Sequence, residues 1–441
     1  MRQSAAHPYL YERSSMKPTS PTPASAEPFT NYQKFVVAML AFLQFTIILD
    51  FMILSPLGAM LMPALHITPK QFGLVVSVYA FSAGSSGILA AGFADQFDRK
   101  KMLLFFYTGF VIGTLLCGMA SSYEFLLAAR MVTGIFGGVI GSIVFAITTD
   151  LFPLEKRGRV MGVIQTAFAA SQILGLPLGL YLSNHWGWHA PFLLIVAVSI
   201  LVGIVIMSRL QPIDGHLGKN NDNNAFLHLI STVSTPRYAN AFATTALLSI
   251  GGFMLMPFGS AFTVNNMGIE PVKLPMIYFI TGLSAIVMGP LVGRLSDRFG
   301  KFRVFLFGTI VGMIMVFIYT NLGRTPLGMV ILVNVVMFVG IFSRMIPSQA
   351  LMSAIPTPSS RGAFMAISSS LQQIAGGIAA VIAGRIVVQR TDNGPLEHFD
   401  TLGYIMMATS LFSLFMMYRI HRSIPEVIPV ATAEVDAPSH G

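Results

Sequence analysis

Residues 91–101 read AGFADQFDRKK, and residues 293–303 read GRLSDRFGKFR. Each is a knot of charge between long apolar runs, in a 441-residue chain whose charged residues make up 10% of the total. Laid over one another they match at Asp95 and Asp297, at Phe97 and Phe299, and at Arg99 and Lys301, all 202 positions apart. A second match follows at nearly the same spacing: Arg157-Gly158-Arg159-Val160-Met161 against Arg361-Gly362-Ala363-Phe364-Met365. Two matches at one period indicate duplicated halves, a recurrent architecture among membrane transporters.

Composition points the same way. Soluble domains carry about 25% charged residues, and this chain, with 54% hydrophobic residues and a mean hydropathy of +0.71, has too few to cover a soluble surface. The expectation is an integral membrane protein. The net charge of +9 does not argue for nucleic acid, because the basic residues sit in short gaps between apolar runs and not on one face of a polar domain. The single cysteine, Cys117, excludes an internal disulfide and lies in an apolar run, where packing is its expected role. Residues 1–33 are rich in Ser and Pro and contain no apolar stretch. They read as a disordered tail and not as a signal peptide.

A membrane-crossing helix needs about 20 mainly apolar residues. That length places twelve spans at Phe35–Pro56, Phe72–Phe93, Met102–Ala120, Phe125–Thr149, Val160–Leu182, Ala190–Met207, Ala239–Val264, Leu274–Val292, Val304–Thr320, Leu327–Ile346, Ala363–Val388 and Leu402–Tyr418. The predicted fold class is all-α, with twelve transmembrane helices in two pseudo-symmetric six-helix bundles, 34–210 and 239–420. The polar stretch 211–238, QPIDGHLGKNNDNNAFLHLISTVSTPRY, is the expected linker, and 421–441 a second tail. With both termini in the cytoplasm, twenty of the 27 Lys and Arg residues fall on that side. Five fall outside: Lys70, Lys273, Arg324, Arg385 and Arg390. The positive-inside rule therefore places both tails and the linker in the cytoplasm.

These features resemble the major facilitator superfamily, from about Phe35 to Tyr418. The loop pattern of that family, G-x-L-a-D-r-x-G-r-k, is closely matched by GRLSDRFGK. The first copy departs from it at Ala91 and Asp98, where glycines are usual. LLAARMVTG resembles the span-four pattern, with Arg130 on its arginine and Thr133 in place of a glutamine. Gly162, Ser171, Gly175 and Gly179 fall on the small positions of the span-five antiporter pattern, with Pro177 displaced by one residue. LDFMILSPLG and WGWHAPF resemble the twelve-span drug:proton antiporter and sugar-efflux branch. The resemblance implies that the charged loops latch the two halves together on the cytoplasmic side when the cavity faces outward. The latch residues would be Asp95, Arg99 and Lys100 in the first copy, and Asp297, Arg298 and Lys301 in the second.

Two charges are unusual. Asp50 lies about 15 residues into span one, roughly 22 Å from the cytoplasmic edge at 1.5 Å per residue. Arg130, in span four, reaches a similar depth counted from the outer end. Charges at such depth are costly and mark functional sites by default. An Asp50–Arg130 pair is expected, either as a fixed salt bridge or as a proton-coupling device. Burial and a neighbouring guanidinium act on a carboxyl in opposite senses, so opening the cavity would alter the balance. Thr46, Asn334 and Arg344 are the candidate substrate-cavity residues, although Arg344, near the cytoplasmic end, has the reach to snorkel. Asp150 and Glu155, at the inner mouth of span four, read as solvated or paired within a loop. The glycines of GIFGGVIGS (134–142) permit close helix approach. His185 and His189 flank an interfacial WGW and do not read as a metal site.

No GxxxxGK(S/T) phosphate loop is present, so the energy source is expected to be an ion gradient. The function expected is proton-coupled export of small amphipathic or drug-like compounds by alternating access. Symport or facilitated movement of a small metabolite or sugar is the alternative within the fold, and a non-transporting receptor the alternative outside it. No paired catalytic carboxylates or nucleophile–base spacing suggests an enzyme. The partners expected are the substrate, protons and the lipid bilayer, with no nucleic acid, metal or other cofactor. A monomer in a bacterial inner membrane completes the expectation.

Overall fold

The computed structural model describes residues 28–90, 96–215, 217, 230–357 and 360–423. Twelve helices among them are long and apolar enough to cross a membrane. We label them α1 (Asn31–Ala64), α2 (Pro69–Ala90), α3 (Arg99–Gly118), α4 (Tyr123–Leu151), α5 (Glu155–Trp186), α6 (Ala190–Arg209), α7 (Pro236–Asn265), α8 (Pro271–Phe299), α9 (Lys301–Thr320), α10 (Leu327–Ser353), α11 (Arg361–Ile386) and α12 (Phe399–Ser423). A two-stranded antiparallel hairpin, β1 (Val388–Gln389) and β2 (Leu396–Glu397), joins α11 to α12.

Helix ends follow local chemistry more than hydropathy. Thr30 and Gln33 form a reciprocal capping box, so α1 begins at Asn31, ahead of the apolar run. It also runs past the expected stop at Pro56 and through Pro63 to Ala64, because neighbouring helices in a membrane bundle can re-satisfy the backbone groups that a proline frees. Helix α12 likewise starts earlier than hydropathy indicates, since Phe399 is itself core. Loop 2–3 and loop 8–9 solve one turn in two ways. Gly300 takes φ +94°, in the left-handed region that glycine enters freely. Asp98 keeps φ −54° and caps α3 with its carboxylate, accepting from the backbone N–H of Lys100 at 2.7 Å and of Lys101 at 3.1 Å.

Helix α5 is interrupted. A π turn at Ser171–Gly175 separates α-helical stretches on either side. Pro177 has no N–H to offer the Ile173 carbonyl, and its ring crowds that carbonyl; a wider turn just ahead of the proline accommodates both. Helix α7 breaks similarly around Met256–Phe258, a short 3-10 turn beside Pro257.

The core shows how the two sets of six helices sit. We call the end where α1 begins and α12 finishes the tail end, and the opposite one the far end. At the tail end the cores stay within one half or the other, a small one of Val292, Val304 and Phe342 beside two larger ones. Of the larger two, one contains Leu40, Phe106, Ile140 and Val160 from the first six helices, and the other Phe242, Phe305, Phe364 and Met417 from the last six. At the far end one continuous core joins Leu57, Phe72 and Phe192 to Phe258, Leu274 and Phe399. The cross-contacts agree. A Cβ on Gly73 of α2 would lie 2.6 Å from the Ala380 carbonyl oxygen of α11, and one on Gly282 of α8 would lie 3.1 Å from the Gln172 carbonyl oxygen of α5. Ser260 of α7 donates to the Ser55 carbonyl of α1 at 2.9 Å. Toward the tail end, a Cβ on Gly158, Gly162, Gly289, Gly293 or Gly362 would meet nothing within 4 Å. The halves close at the far end, keep touching along α2 and α11 as far as Gly87 and Ser370, and splay beyond toward the tail end.

Small residues set the α2–α4 spacing. A Cβ on Gly138 would fall 2.3 Å from the Ala83 backbone oxygen, which has no freedom to retreat, whereas one on Gly141 would meet nothing. Gly138→Ala is therefore expected to cost about 1–3 kcal/mol by overpacking. Gly141→Ala should be neutral or stabilising by up to about 1 kcal/mol, since alanine favours the helix. Unfolding midpoints of the two purified variants check the contrast; equal midpoints would contradict it.

Candidate functional site

The structure brings Asp50 and Arg130 together. One guanidinium nitrogen, Nη1, donates to Asp50 Oδ2 at 2.8 Å and reaches the Asp50 backbone oxygen at 3.4 Å. Thr114 of α3 donates its hydroxyl to the other carboxylate oxygen at 3.2 Å. Tyr79 of α2 lays its ring 4.3 Å from the guanidinium carbon, a cation–π contact that shields the charge from the remaining side. The site is thus assembled from four helices, each contributing one residue. Both ionised side chains are sealed, at 0% and 1% exposure. Arg130 Nε is enclosed without a hydrogen-bond partner, while Cys117 and Thr133 fill the adjacent space, 3.7 Å apart.

A chain of rings leads from this pair to the seam between the halves. Tyr79 packs against Phe51 at 5.5 Å, and Phe51 packs edge-on against Phe253 of α7 at 6.0 Å. Phe51 and Ser55 on one side, and Phe253, Gln373 and Gly376 on the other, line a small and largely apolar pocket at that seam. Phe253 of the second half thus stands two ring contacts from the ion pair, through Phe51 and Tyr79 of the first. Sequence reasoning missed Tyr79, Thr114, Phe51 and Phe253, because nothing in their local sequence marks them.

Asp95 lies outside the described residues. Arg99 is buried and its Nε donates to Asp150, at the end of α4, at 3.0 Å; Asp150 is thus engaged by a neighbouring helix rather than simply solvated. Lys100 Nζ donates to the Met207 carbonyl at 3.1 Å, satisfying an otherwise open acceptor near the end of α6. In the second copy Asp297 is exposed and makes no ion pair with a described residue. Arg298 turns over the Phe299 ring at 5.4 Å, and Lys301 opens α9.

The span-five residues divide. Ser171, at the π turn, donates to the Ala167 carbonyl at 2.9 Å and approaches the Phe45 carbonyl of α1 at 3.2 Å. A Cβ on Gly175 or Gly179 would stand 2.6 Å from Leu49 or Ile53, so these glycines let α5 lie close against α1. Gly162 has open space beside it, and Pro177 follows the π turn.

Of the cavity candidates, Thr46 is packed into the first half, bonded to the Leu43 carbonyl and to the Tyr107 hydroxyl. It faces core and not an opening, since Tyr107 from α3 fills the space before it. Asn334 is partly buried and its amide donates to the Val330 carbonyl at 2.8 Å. Arg344 does not snorkel to the interface. Its aliphatic stem lies along Gly312 of α9, and Nη2 sits 3.4 Å from Ser413 Oγ of α12, a course that holds the guanidinium inside the bundle.

Twelve spanning helices, a doubled six-helix plan and a charge pair at membrane depth define a polytopic membrane transporter. The chain belongs to the Major Facilitator Superfamily, whose family model matches residues 40–381. The MFS-type transporter YceJ of Bacillus subtilis (strain 168) is 24% identical over 371 residues, covering 83% of this chain and 92% of that one. Multidrug resistance protein 2 of the same organism is 23% identical over 296 residues, covering 66% and 74%. Among solved structures, a bacterial homologue of the human lysosomal transporter Spinster, in an inward-facing and unoccupied conformation, superposes with a TM-score of 0.70. It is 15% identical, with 90% of this chain and 98% of that one covered.

Proposed function

We propose that this transporter is a proton-coupled antiporter that exports small amphipathic compounds by alternating access, with Asp50 as the proton carrier and Arg130 as its partner. The observation that carries the reading is the sealed Asp50–Arg130 pair, held deep in the bundle and linked through Tyr79 and Phe51 to the seam between the halves. Water has no access to the carboxylate in this arrangement, so proton exchange requires the helices around it to part. That ties protonation to conformational change. The similarity to Multidrug resistance protein 2 supports export as the direction.

With both tails cytoplasmic, as the distribution of Lys and Arg favours, the splayed tail end makes this an inward-facing state. The loop latch belongs to the opposite state, consistent with Asp297 making no ion pair among the described residues. The protein works as a monomer in a bacterial inner membrane on this reading. One proton crossing about 150 mV yields roughly 3.5 kcal/mol, enough for about a 300-fold gradient.

The direct test is flux in proteoliposomes under an imposed pH gradient, run across a panel of compounds. Uptake or efflux of labelled compound that follows the gradient supports antiport. Flux indifferent to the gradient for every compound removes it. Alternating access has its own test at the far end. His66 Nδ1 and Asp392 Oδ2, from loop 1–2 and the hairpin, lie 3.0 Å apart across the two halves. His66→Cys with Asp392→Cys, joined by a short cleavable bifunctional thiol reagent, should hold that end shut and reduce flux to the level of empty liposomes. Cleaving the linker should restore it. Full flux in the cross-linked protein contradicts the rocking motion.

A further inference from the structure

The pocket at the seam between the halves carries two polar side chains that no described residue satisfies. Ser55 of α1 and Gln373 of α11 both line it. Ser55 is 3% exposed, and the bond it receives from Ser260 goes to its backbone carbonyl. Thr133, Ser171 and Thr263 return their hydroxyls to a carbonyl one turn behind. Ser55 does not, so its hydroxyl is left to the pocket. The Gln373 amide likewise makes no hydrogen bond with a described residue. The other lining residues are apolar, and none is charged.

The pocket opens toward the tail end. Helices α1, α7 and α11 run from the tail end to the far end and α2 runs back, so Phe51, Ala80, Phe253 and Gln373 are the tailward members of its lining. On the far side lies the continuous core, with Leu57 and Phe258 fully enclosed. To the side, α2 and α11 press together at Gly84 and Ser370. Tailward, α1 and α7 draw apart. Helix α1 packs along residues 256–265 of α7 but scarcely meets residues 236–253, and the Phe51–Phe253 contact marks the divergence. A compound entering between these helices from the splayed end reaches Phe51, Phe253 and Gln373 first.

The pocket has about the volume of one water molecule, too little for a ring and enough for a single hydroxyl or carbonyl oxygen. The Gln373 amide and the Ser55 hydroxyl can each donate and accept, and so match either. A carboxylate or ammonium would enter with no counter-charge among the lining residues, because the Asp50–Arg130 pair is sealed behind Phe51 and Tyr79. We propose that Gln373 and Ser55 are specificity-determining residues for the transported compound, whose class is aromatic molecules with an uncharged hydroxyl or carbonyl head. The head enters the pocket, and the ring body rests on Phe51 and Phe253. This rests on the transporter reading above but not on its proton coupling.

Equilibrium binding to the full-length protein in nanodiscs, corrected for partition into protein-free discs, tests the idea without any gradient. The probes are naphthylmethanol, methylnaphthalene, naphthoate and naphthylmethylammonium, with the matching biphenyl set. In the wild-type protein at least one alcohol should bind about tenfold more tightly than every other member of its set, equivalent to about 1.4 kcal/mol. Gln373→Leu, close in volume, should reduce the advantage of the alcohol over the methyl compound to about threefold, and adding Ser55→Ala should abolish it. Affinity for the methyl compound should stay at the wild-type level in both variants, which shows that they are folded. A second arm needs no variant. A diazirine-bearing naphthylmethanol should label the wild-type protein beside Phe51 and Gln373, read by mass spectrometry, and excess naphthylmethanol but not methylnaphthalene should suppress the labelling. No binding by any probe, equal binding across both sets, tighter binding of a charged member, labelling confined to other sites, or an alcohol preference that survives the double variant overturns the assignment. The pH-gradient flux assay is independent: flux that follows the gradient with no alcohol preference removes this inference alone, and preference without gradient-driven flux removes antiport alone.

Discussion

Asp50→Asn is expected to eliminate transport driven by a pH gradient while leaving gradient-free exchange of substrate measurable. The amide oxygen can still accept from Arg130 while the amide NH2 donates to the Thr114 hydroxyl, so the local geometry of the four helices is largely kept. What is lost is the capacity to bind and release a proton. If Asp50 is the carrier, the halves can still rock around a bound compound, and counterflow in proteoliposomes continues. Gradient-driven flux should fall to the level of protein-free liposomes. Asp50→Glu separates chemistry from folding, because it keeps a titratable group one methylene further out; some gradient dependence should remain. Gradient-driven flux in Asp50→Asn that equals wild type would remove Asp50 from the mechanism.

The deep charge pair was legible in sequence for a physical reason. In a span of twenty apolar residues a lone charge is conspicuous, and two of opposite sign at one depth have few other ways to be accommodated. The twelve helices were legible for a related reason: in hydrocarbon each backbone group must be satisfied within its own helix, so length and hydropathy nearly define the element. Where the structure departs from that reading, the cause is local chemistry that hydropathy does not weigh. The capping box at Thr30 and Gln33 starts α1 early, and tolerated prolines at 56 and 63 carry it on.

Tertiary placement was much less legible. Arg99 meets Asp150 across 51 residues of sequence, and Tyr79 covers Arg130 across a similar separation; neither distance leaves a local trace. Thr46 looked like a cavity residue by position in α1, but helical phase turns it onto Tyr107. Arg344 was read from its distance to the helix end, which suggested snorkelling. Its course is decided instead by Gly312, whose missing side chain leaves a groove along which the stem lies. The π turn in α5 had a signal, the displaced Pro177, whose consequence for the backbone became clear only in three dimensions.

Arg130→Ala is expected to be the most destabilising single substitution in the chain, and its repair by a second change is the sharper result. Removing the guanidinium leaves Asp50 charged and enclosed, with Thr114 as its remaining side-chain donor. Breaking a buried ion pair from one side costs about 3–5 kcal/mol, chiefly because the surviving charge is uncompensated. Asp50→Asn together with Arg130→Gln removes both charges while nearly conserving shape, and the double variant should recover most of that loss. The cycle of wild type, Arg130→Gln, Asp50→Asn and the double variant, followed by unfolding in detergent, measures the coupling directly. A coupling of about 2–3 kcal/mol, at the upper end of what contacting residues give, is expected. Transport supplies the second readout. The double variant should fold and exchange substrate yet show no dependence on a pH gradient, whereas a purely structural salt bridge would leave that dependence intact once stability is restored. Additive effects on stability would mean that the two side chains do not depend on one another in the membrane, and the coupling mechanism would lose its physical basis.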